Sequence, residues 1–326
     1  MVTIHDVART AGVSTATVSR ALANSPRVAE ATRERVASVA SSLGYSPNVL
    51  AAALRAGRTG AIGLLVSDLS NPFFATIAQG VSEAAEQHEL GVFVVDSREK
   101  ADEGSLLRRL VRQTDGVILA APRDVEADLR VIGSAPAVVI NQEGPRAVVT
   151  DVADGVRQAM KHLVELGHRR IAYLGGPASS WGDAKRREAL AVESASRAAD
   201  GLRVITLGAF APSAEGGEAA AEAVEATAAT AVLTYNDIVA VGLIRALRLR
   251  GIVVPDDVSV VSFDGTFLAP LVTPALTSAG TDLRALGRAA ANHLITADER
   301  ASHVQPVTLK VRESTAPPRP RSSAGA

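Results

Sequence analysis

Thr3-Ile-His-Asp-Val-Ala-Arg-Thr-Ala-Gly-Val-Ser-Thr-Ala-Thr-Val-Ser-Arg20 carries two helical patterns with a glycine between them. Ile4, Val7, Ala8 and Ala11 recur at helical spacing and form one apolar stripe. Thr3 followed three residues later by Asp6 resembles a capping box at the start of that helix. Gly12 supplies the positive φ that stops it. Ser14 is placed to cap a second helix, to which Val18 and Leu22 give an inward face. Two short helices joined by a three- or four-residue turn with glycine are a helix-turn-helix. Small Ala8 lets them cross closely, and Val18 packs back into the angle. The stripe alone would also suit a generic pair of surface helices, but the Ala8, Gly12, Val18 spacing at the N-terminus favours DNA binding.

Composition narrows the classes open to the rest of the chain. Its 326 residues suggest two or three domains, and 47% hydrophobic residues with ordinary charge indicate a soluble globular protein. The absence of Cys excludes disulfides, thiolate nucleophiles and Cys-bound metals. No run of about 18 apolar residues occurs, and the N-terminus lacks the hydrophobic core of a signal peptide, so a cytoplasmic protein is expected. The net charge of −1 hides an asymmetry. Residues 1–58 hold seven Arg and no Lys against Asp6, Glu30 and Glu34, a net of +4 that leaves −5 for the remainder. A basic head on an acidic body fits a polyanion contact confined to the head, although seven arginines also suit a solvated surface.

Beyond the first two helices, Glu30–Leu43 predicts a third, with Val36, Val39, Ala40 and Leu43 on one face and Gly44 ending it. Ser46-Pro-Asn-Val-Leu-Ala-Ala-Ala-Leu-Arg55 then offers a Ser cap, Pro at the first helical position and good helix formers, closed by Gly57. So short a helix is marginal in isolation and orders only when something holds it. From Ala61 onward, apolar runs alternate with amphipathic stretches. The runs are Ala61–Val66, Val92–Val95, Gly116–Ala120, Ala137–Ile140, Ile171–Leu174, Val204–Leu207, Ala231–Thr234 and Val258–Phe263. Helical stretches between them are Phe73–His88, Glu103–Arg112, Ala153–Leu166, Asp183–Ala198, Glu215–Ala226 and Ile238–Arg250. Asp282–Thr296 reads as a further helix and Val307–Val311 as a last strand. Strand–helix alternation with continuously apolar strands means parallel sheets covered on both faces. About nine strands divide naturally into two doubly wound halves.

In open parallel sheets a ligand sits beyond the carboxyl ends of the strands. In the first half those ends supply Ser67, Asp68, Asn71, Phe73, Phe74, Asp96 and Asn141. In the second they supply Trp181, Arg186, Phe210, Asn236, Asp237 and Asp264. Carboxylates, amides, a guanidinium and aromatic rings suit a polyhydroxylated ligand, because flat rings cover its apolar face while planar polar groups chelate its hydroxyls. Each residue also has a structural reading. Asn71-Pro72 is a good N-cap followed by an N1 proline, Asn236-Asp237 is equally a helix start, and Asp264 can satisfy backbone amides in a turn. Catalysis finds little support. Ser67-Asp-Leu-Ser-Asn71 has no glycine for a phosphate loop, the six His show no metal spacing, and no Gly-x-Ser-x-Gly elbow occurs. No enzyme, cofactor or metal is expected.

The opening pattern Thr-Ile-x-Asp-Val-Ala-x-x-Ala-Gly-Val-Ser-x-x-Thr-Val-Ser-Arg resembles the start of the lac repressor (LacI/GalR) family of bacterial transcription regulators. Further landmarks follow in family order: Asp68–Phe74, Glu165–Leu174, Asn236-Asp237, Val254–Asp264, Thr273–Thr277 and Arg312–Thr315. The resemblance spans roughly residues 2–316. It implies a periplasmic-binding-protein-like core with a cleft between two subdomains, a homodimer, a double-stranded DNA operator and a small-molecule effector of carbohydrate type in the cleft. It makes Thr15, Ala16 and Arg20 the base readers, with Thr3, Ser14, Thr17 and Ser19 toward phosphates. Arg186, Asp264 and Phe210 match effector-contact positions of the family. The segments Asp96–Leu106 and Gln142–Thr150 are short for the family, and Ala189-Leu190 stand where Gly-Phe is usual. The expected organisation is α/β: an all-α head over 1–45, a hinge helix or linker over 46–58, a two-subdomain doubly wound core over 59–316 and a disordered tail over 317–326. Within the core one subdomain takes about 59–150 and 282–309, and the other about 151–281 and 310–316. A solute-binding protein for uptake is the alternative from another class, and the missing signal peptide argues against it.

The resemblance also places Leu54 of the hinge helix as an apolar wedge in the minor groove at the dimer axis. Such a wedge costs unstacking and gains a bent duplex, most cheaply at a pyrimidine–purine step. Leu54→Ala is therefore expected to weaken operator binding and reduce bending, measured by gel mobility of permuted operator fragments, while dimerisation is unchanged. Bending and affinity that survive the substitution would make the segment a mere linker.

Overall fold

The computed structural model describes residues 2–45, 58–97, 103–144, 146–296 and 303–319. The hinge helix over 46–55, with Leu54, lies outside the described residues, as do residues 320–326 of the tail. The chain separates into two compact units, Met1–Gly60 and Ala61–Ala326.

The first unit contains α1 (Ile4–Ala11), α2 (Thr15–Leu22) and α3 (Glu30–Ser42). The capping box forms as its residues predict. Thr3 N donates to Asp6 Oδ2 at 3.0 Å, and Thr3 and Asp6 cap the helix reciprocally. Gly12 stands at φ +66 and turns the chain, and Ser14 Oγ accepts from Thr17 N at 3.1 Å to start α2. The core of this unit joins Val7, Ala8 and Ala11 of α1 to Val18 and Ala21 of α2 and Val36 and Ala40 of α3, with Val28 from the loop. Val18, at 0% exposure, fills the angle between the first two helices.

The second unit holds two six-stranded sheets. The first runs in the order β11-β5-β4-β3-β1-β2 and the second in the order β12-β10-β9-β8-β6-β7. The strands of the first are β1 (Ala61–Val66), β2 (Gly91–Asp96), β3 (Val117–Ala120), β4 (Ala137–Ile140), β5 (Val148–Thr150) and β11 (His303–Gln305). Those of the second are β6 (Arg170–Gly175), β7 (Arg203–Ala209), β8 (Ala231–Thr234), β9 (Ser259–Asp264), β10 (Thr277–Gly280) and β12 (Thr308–Lys310). Among the described residues every strand pairing is parallel except that of β10 with β12. The central strands are buried throughout because each feeds two cores. On β1, Ile62, Leu64 and Val66 enter the core beneath α4 (Pro72–Glu86) and α12 (Leu283–Thr296), while Leu65 enters the one beneath α5 (Glu103–Gln113) and α6 (Val125–Ile132). The second sheet is covered likewise by α7 (Val152–Glu165) and α8 (Trp181–Ser196) on one face. Its other face carries α9 (Ala214–Ala219), α10 (Ala221–Ala226) and α11 (Asp237–Leu249). Period-2 alternation into two apolar cores is what made these strands read as continuous apolar runs.

Three corrections to the sequence reading follow. The stretch Glu215–Ala226 is two helices that break at Ala220. Thr308 and Leu309 belong to the second sheet, since β12 pairs with β10, so the last crossing between subdomains comes before residue 308. The described start of the tail, residues 317–319, is not free. Arg319 pairs with Asp256 at 2.6 Å, and Ala316 accepts from His168 Nε2 at 2.9 Å and Ser259 Oγ at 3.0 Å. Among the described residues no helix is long and apolar enough to cross a membrane.

The first half is locked where α4 crosses α12. A Cβ on Gly80 would stand 2.1 Å from Arg284 O, and one on Gly287 would stand 2.2 Å from Ile77 O. Glu83 spans the same crossing, accepting from Arg284 and, at 2.7 Å, from Arg288. Helix propensity favours Ala over Gly by about 1 kcal/mol, but a backbone carbonyl cannot yield to a methyl at that distance. Overpacking of this kind costs about 1–3 kcal/mol, so Gly80→Ala is expected to lower the thermal midpoint. A midpoint raised by the substitution would show that the helices part freely.

Candidate functional site: reading helix and cleft

The outward face of α2 is set by its inward one. With Val18 and Ala21 buried, Ala16, Ser19 and Arg20 are exposed and Thr15 is half-exposed. Arg20 makes no ion pair among the described residues, whereas Arg9 is held by Asp6 at 3.3 Å and Arg33 by Glu30 at 3.5 Å. The hydroxyls predicted to face phosphates differ among themselves. Thr3 is committed to Asp6, Ser14 and Thr17 lie 2.9 Å apart in the cap of α2, and Ser19 has no partner among the described residues. The Thr3 hydrogen bonds hold the Asp6 carboxyl below its usual range. The unit thus presents a short helix whose first turn and free guanidinium point away from its own core.

The second unit encloses a cleft of about 300 Å³. Its walls come from the carboxyl ends of strands in both sheets and from the three places where the chain crosses between them. Thr150 and Val152 line it at the first crossing, Thr281 and Leu283 at the second, and Val307 at the third. Ten of the residues singled out in the sequence stand on these walls: Ser67, Asp68, Asn71, Phe73, Phe74 and Asn141 from the first half, and Trp181, Arg186, Asn236 and Asp264 from the second.

Several of them serve the fold as well. Asn71 Oδ1 accepts from Phe73 N at 2.9 Å and starts α4, with Pro72 at its first position, so the N-cap reading and the wall position are both met. Asp68 Oδ1 accepts from Ser70 N at 2.8 Å and Ser70 Oγ at 2.6 Å, which closes the turn after β1. Phe73 and Phe74 meet edge to face at 5.1 Å between centroids.

On the other wall Arg186 is the central charge. Its guanidinium carbon lies 4.7 Å from the Phe263 ring centroid and 5.2 Å from that of Tyr235, and its Nη2 lies 3.6 Å from Asp264 Oδ1. Aromatic faces and one carboxylate compensate a guanidinium that is only 12% exposed. Burial pushes the Asp264 carboxyl well above its usual range, and Arg186 pulls against that shift. Ser180 Oγ accepts from Asp183 N at 3.1 Å to cap α8 and lies 2.9 Å from Tyr235 Oη, so the helix start and the ring fix each other. Behind them the buried Asp183 accepts from Tyr173 Oη at 2.7 Å, Gly176 N at 2.8 Å and Arg187.

Three sequence expectations fail here, and the first is Asp96, which does not line the cleft and accepts from Leu69 N at 3.4 Å. Asp237 is 0% exposed and stands behind the wall, with its carboxylate wholly taken up by Ser262, Thr266 and Ser278. Phe210 leaves the cleft for the apolar cluster beneath α9 to α11, its backbone N bonded to Gly175 O at 3.0 Å. Conversely Arg123, Thr150, Tyr235, Phe263 and Thr281 line the cleft without having been singled out. Arg123 was accessible by the strand-end rule, since it follows β3 directly and pairs with Glu103 at 3.5 Å. Thr281 was not, because the short polar β10 that delivers it carries no strand signal. Among the described residues no group of three or more metal-ligating side chains gathers.

Known proteins share both parts. Residues 3–48 match the family described as bacterial regulatory proteins, lacI family, and residues 160–315 match the periplasmic binding protein-like domain. The chain is 34% identical to the HTH-type transcriptional regulator DegA of Bacillus subtilis, with 97% of this chain and 98% of that protein covered. It is 36% identical to the HTH-type transcriptional regulator GalR of Escherichia coli, with 85% and 84% covered. Among solved structures it is similar to the lac repressor dimer bound to operator and the anti-inducer ONPF, with a TM-score of 0.85, 30% identity and coverage of 97% and 99%. Its similarity to the transcriptional regulator CelR in complex with cellobiose has a TM-score of 0.69, 30% identity and coverage of 96% and 100%. The chain therefore belongs to the lacI family of bacterial regulatory proteins, and it is a DNA-binding transcription regulator.

Proposed function

We propose that the protein is a repressor that binds a pseudo-palindromic operator as a homodimer in the cytoplasm and is controlled by a sugar or sugar-like effector in the cleft. The observation that carries the DNA half is the exposed face of α2 with Arg20 on it, in no ion pair among the described residues. In this reading Arg20 contacts guanine bidentately, while Thr15 and Ala16 make hydroxyl or methyl contacts to base edges. Ser19 reaches a phosphate directly, and Thr3, Ser14 and Thr17 do so from within their caps. The operator-bound dimer of a 30%-identical relative supports the assembly.

The effector half rests on the cleft. Asp264 accepts and Arg186 donates side by side, with Phe73, Phe74 and Trp181 as aromatic surface, which fits a polyol's alternation of hydroxyls and apolar ring face. The cellobiose complex of CelR supports a carbohydrate. A ligand acts there only through a difference in its affinity for two conformations of the core.

Four outcomes check the proposal. Operator affinity should fall steeply as salt rises, and a chain beginning at Thr59 should bind operator no better than random DNA. In the full chain Arg20→Ala is expected to cost about 1–3 kcal/mol of discrimination at one symmetric base position, measured by selection of binding sites. Uniform weakening on all sequences would move Arg20 to a phosphate. Arg186→Ala is expected to leave operator binding intact and to abolish its release by effector, read by fluorescence anisotropy of labelled operator across a panel of carbohydrates. A panel in which only nucleobases release operator would overturn the sugar class.

A further inference from the structure

The carboxylate of Asp237 lies outside any ligand's reach, yet four donors converge on it. Oδ1 accepts from Ser262 Oγ and, at 2.7 Å, from Ser278 Oγ. Oδ2 accepts from Thr266 N at 2.7 Å and Thr266 Oγ1 at 2.8 Å. Ser262 and Thr266 stand two residues before and two residues after Asp264, so one carboxylate pins the backbone on both sides of the cleft acid. Ser278, on the neighbouring strand, also accepts from Gly265 N at 3.0 Å and closes the ring of bonds around the turn.

The backbone shows why such a clamp is needed. Asp264 stands at φ +106, a conformation that L residues rarely adopt and that persists only where the surroundings over-determine it. Asp264's own carboxylate does not supply that constraint, because its partner is Arg186 on the cleft wall. Asp237 does, from the first turn of α11, where the helix N-terminus favours a negative charge. Burial raises its carboxyl above the usual range and the Ser262, Ser278 and Thr266 bonds pull it back.

Resting on the reading of the cleft as the effector site, we infer that Asp237 is a positioning residue for effector recognition. Its buried carboxylate holds the Ser262–Thr266 turn in the strained shape that sets Asp264 beside Arg186.

The test has one arm that needs no ligand. In the crystal structure of full-length Asp237→Ala, Asp264 is expected to leave its positive φ and lose its contact with Arg186. Asp264 unmoved would overturn the proposal. In the second arm calorimetry measures D-galactose, D-ribose and cellobiose against the full chain. For a sugar that binds the native protein, Asp237→Ala should weaken affinity about tenfold or more, and should add nothing in an Asp264→Ala background. Equal losses in both backgrounds would assign Asp237 a general structural role and overturn the proposal. If Asp237→Ala does not fold, Ser278→Ala removes one donor and the anchor of Gly265, and carries the same two readouts. Operator binding with no response to any sugar would count against the effector reading alone, because the geometry of Asp264 is read without ligand.

Discussion

Parallel strands buried on both faces can expose only their ends, and that constraint organises the core. With helices covering each sheet, polar side chains reach a ligand only at the strand ends, and those within the strands, such as Ser262 and Ser278, are buried on internal partners. The two sheets bring their carboxyl edges to one cleft, and the chain passes between them three times beside it. Wall residues such as Asn71, Thr150, Asp264 and Thr281 are therefore fixed by a strand end, a helix start or a crossing, while Arg186 reaches the cleft from the second turn of α8. A site built across three covalent crossings is also placed to feel any change in the relation of the two halves, which is what an allosteric effector requires.

Charges in this cleft are held by geometry more than by strong pairing. Arg186 and Asp264 are 3.6 Å apart, a long contact for a buried pair, and neither is fully compensated by the other. Two aromatic faces take up part of the cation's need, and burial keeps the acid reluctant to ionise. Buried ion pairs are poor stabilisers, because desolvation offsets much of their attraction. Their value here lies in presenting a donor and an acceptor at a fixed spacing to an incoming hydroxylated ligand. A second layer makes that spacing reproducible: Asp183 ties Tyr173, Gly176 and Arg187 behind Arg186, and Asp237 ties the turn that carries Asp264.

The head follows a different economy of scale. Among the described residues its buried core is eight valines and alanines, with Ile4, Leu22, Leu43 and Tyr45 packed against it, and the described helices are eight, eight and thirteen residues long. Domains of this size bury too little apolar surface to be very stable alone, so caps weigh heavily in it. Small core side chains let the helices approach closely, and that leaves Thr15, Ala16, Ser19 and Arg20 turned outward.

The chain's local code settled much of this without tertiary information. Capping residues fixed the starts of α1, α2 and α4, since Thr3–Asp6, Ser14 and Asn71-Pro72 act within three residues of themselves. Continuous apolar runs located the central strands, because burial on both faces removes any polar alternation. What stayed hidden was decided by partners distant in sequence. β5, β10 and β11 are three or four residues long, and β10 reads Thr-Ser-Ala-Gly, so only pairing with β9 and β12 makes it a strand. Strand-end position likewise put Asp237 and Phe210 among the cleft candidates, while the folded chain turned both away. A carboxylate faces whichever donors reach it, and Ser262, Thr266 and Ser278 arrive at Asp237 from 25 to 41 residues further along. Side-chain direction is set by those encounters, which spacing along the sequence does not encode.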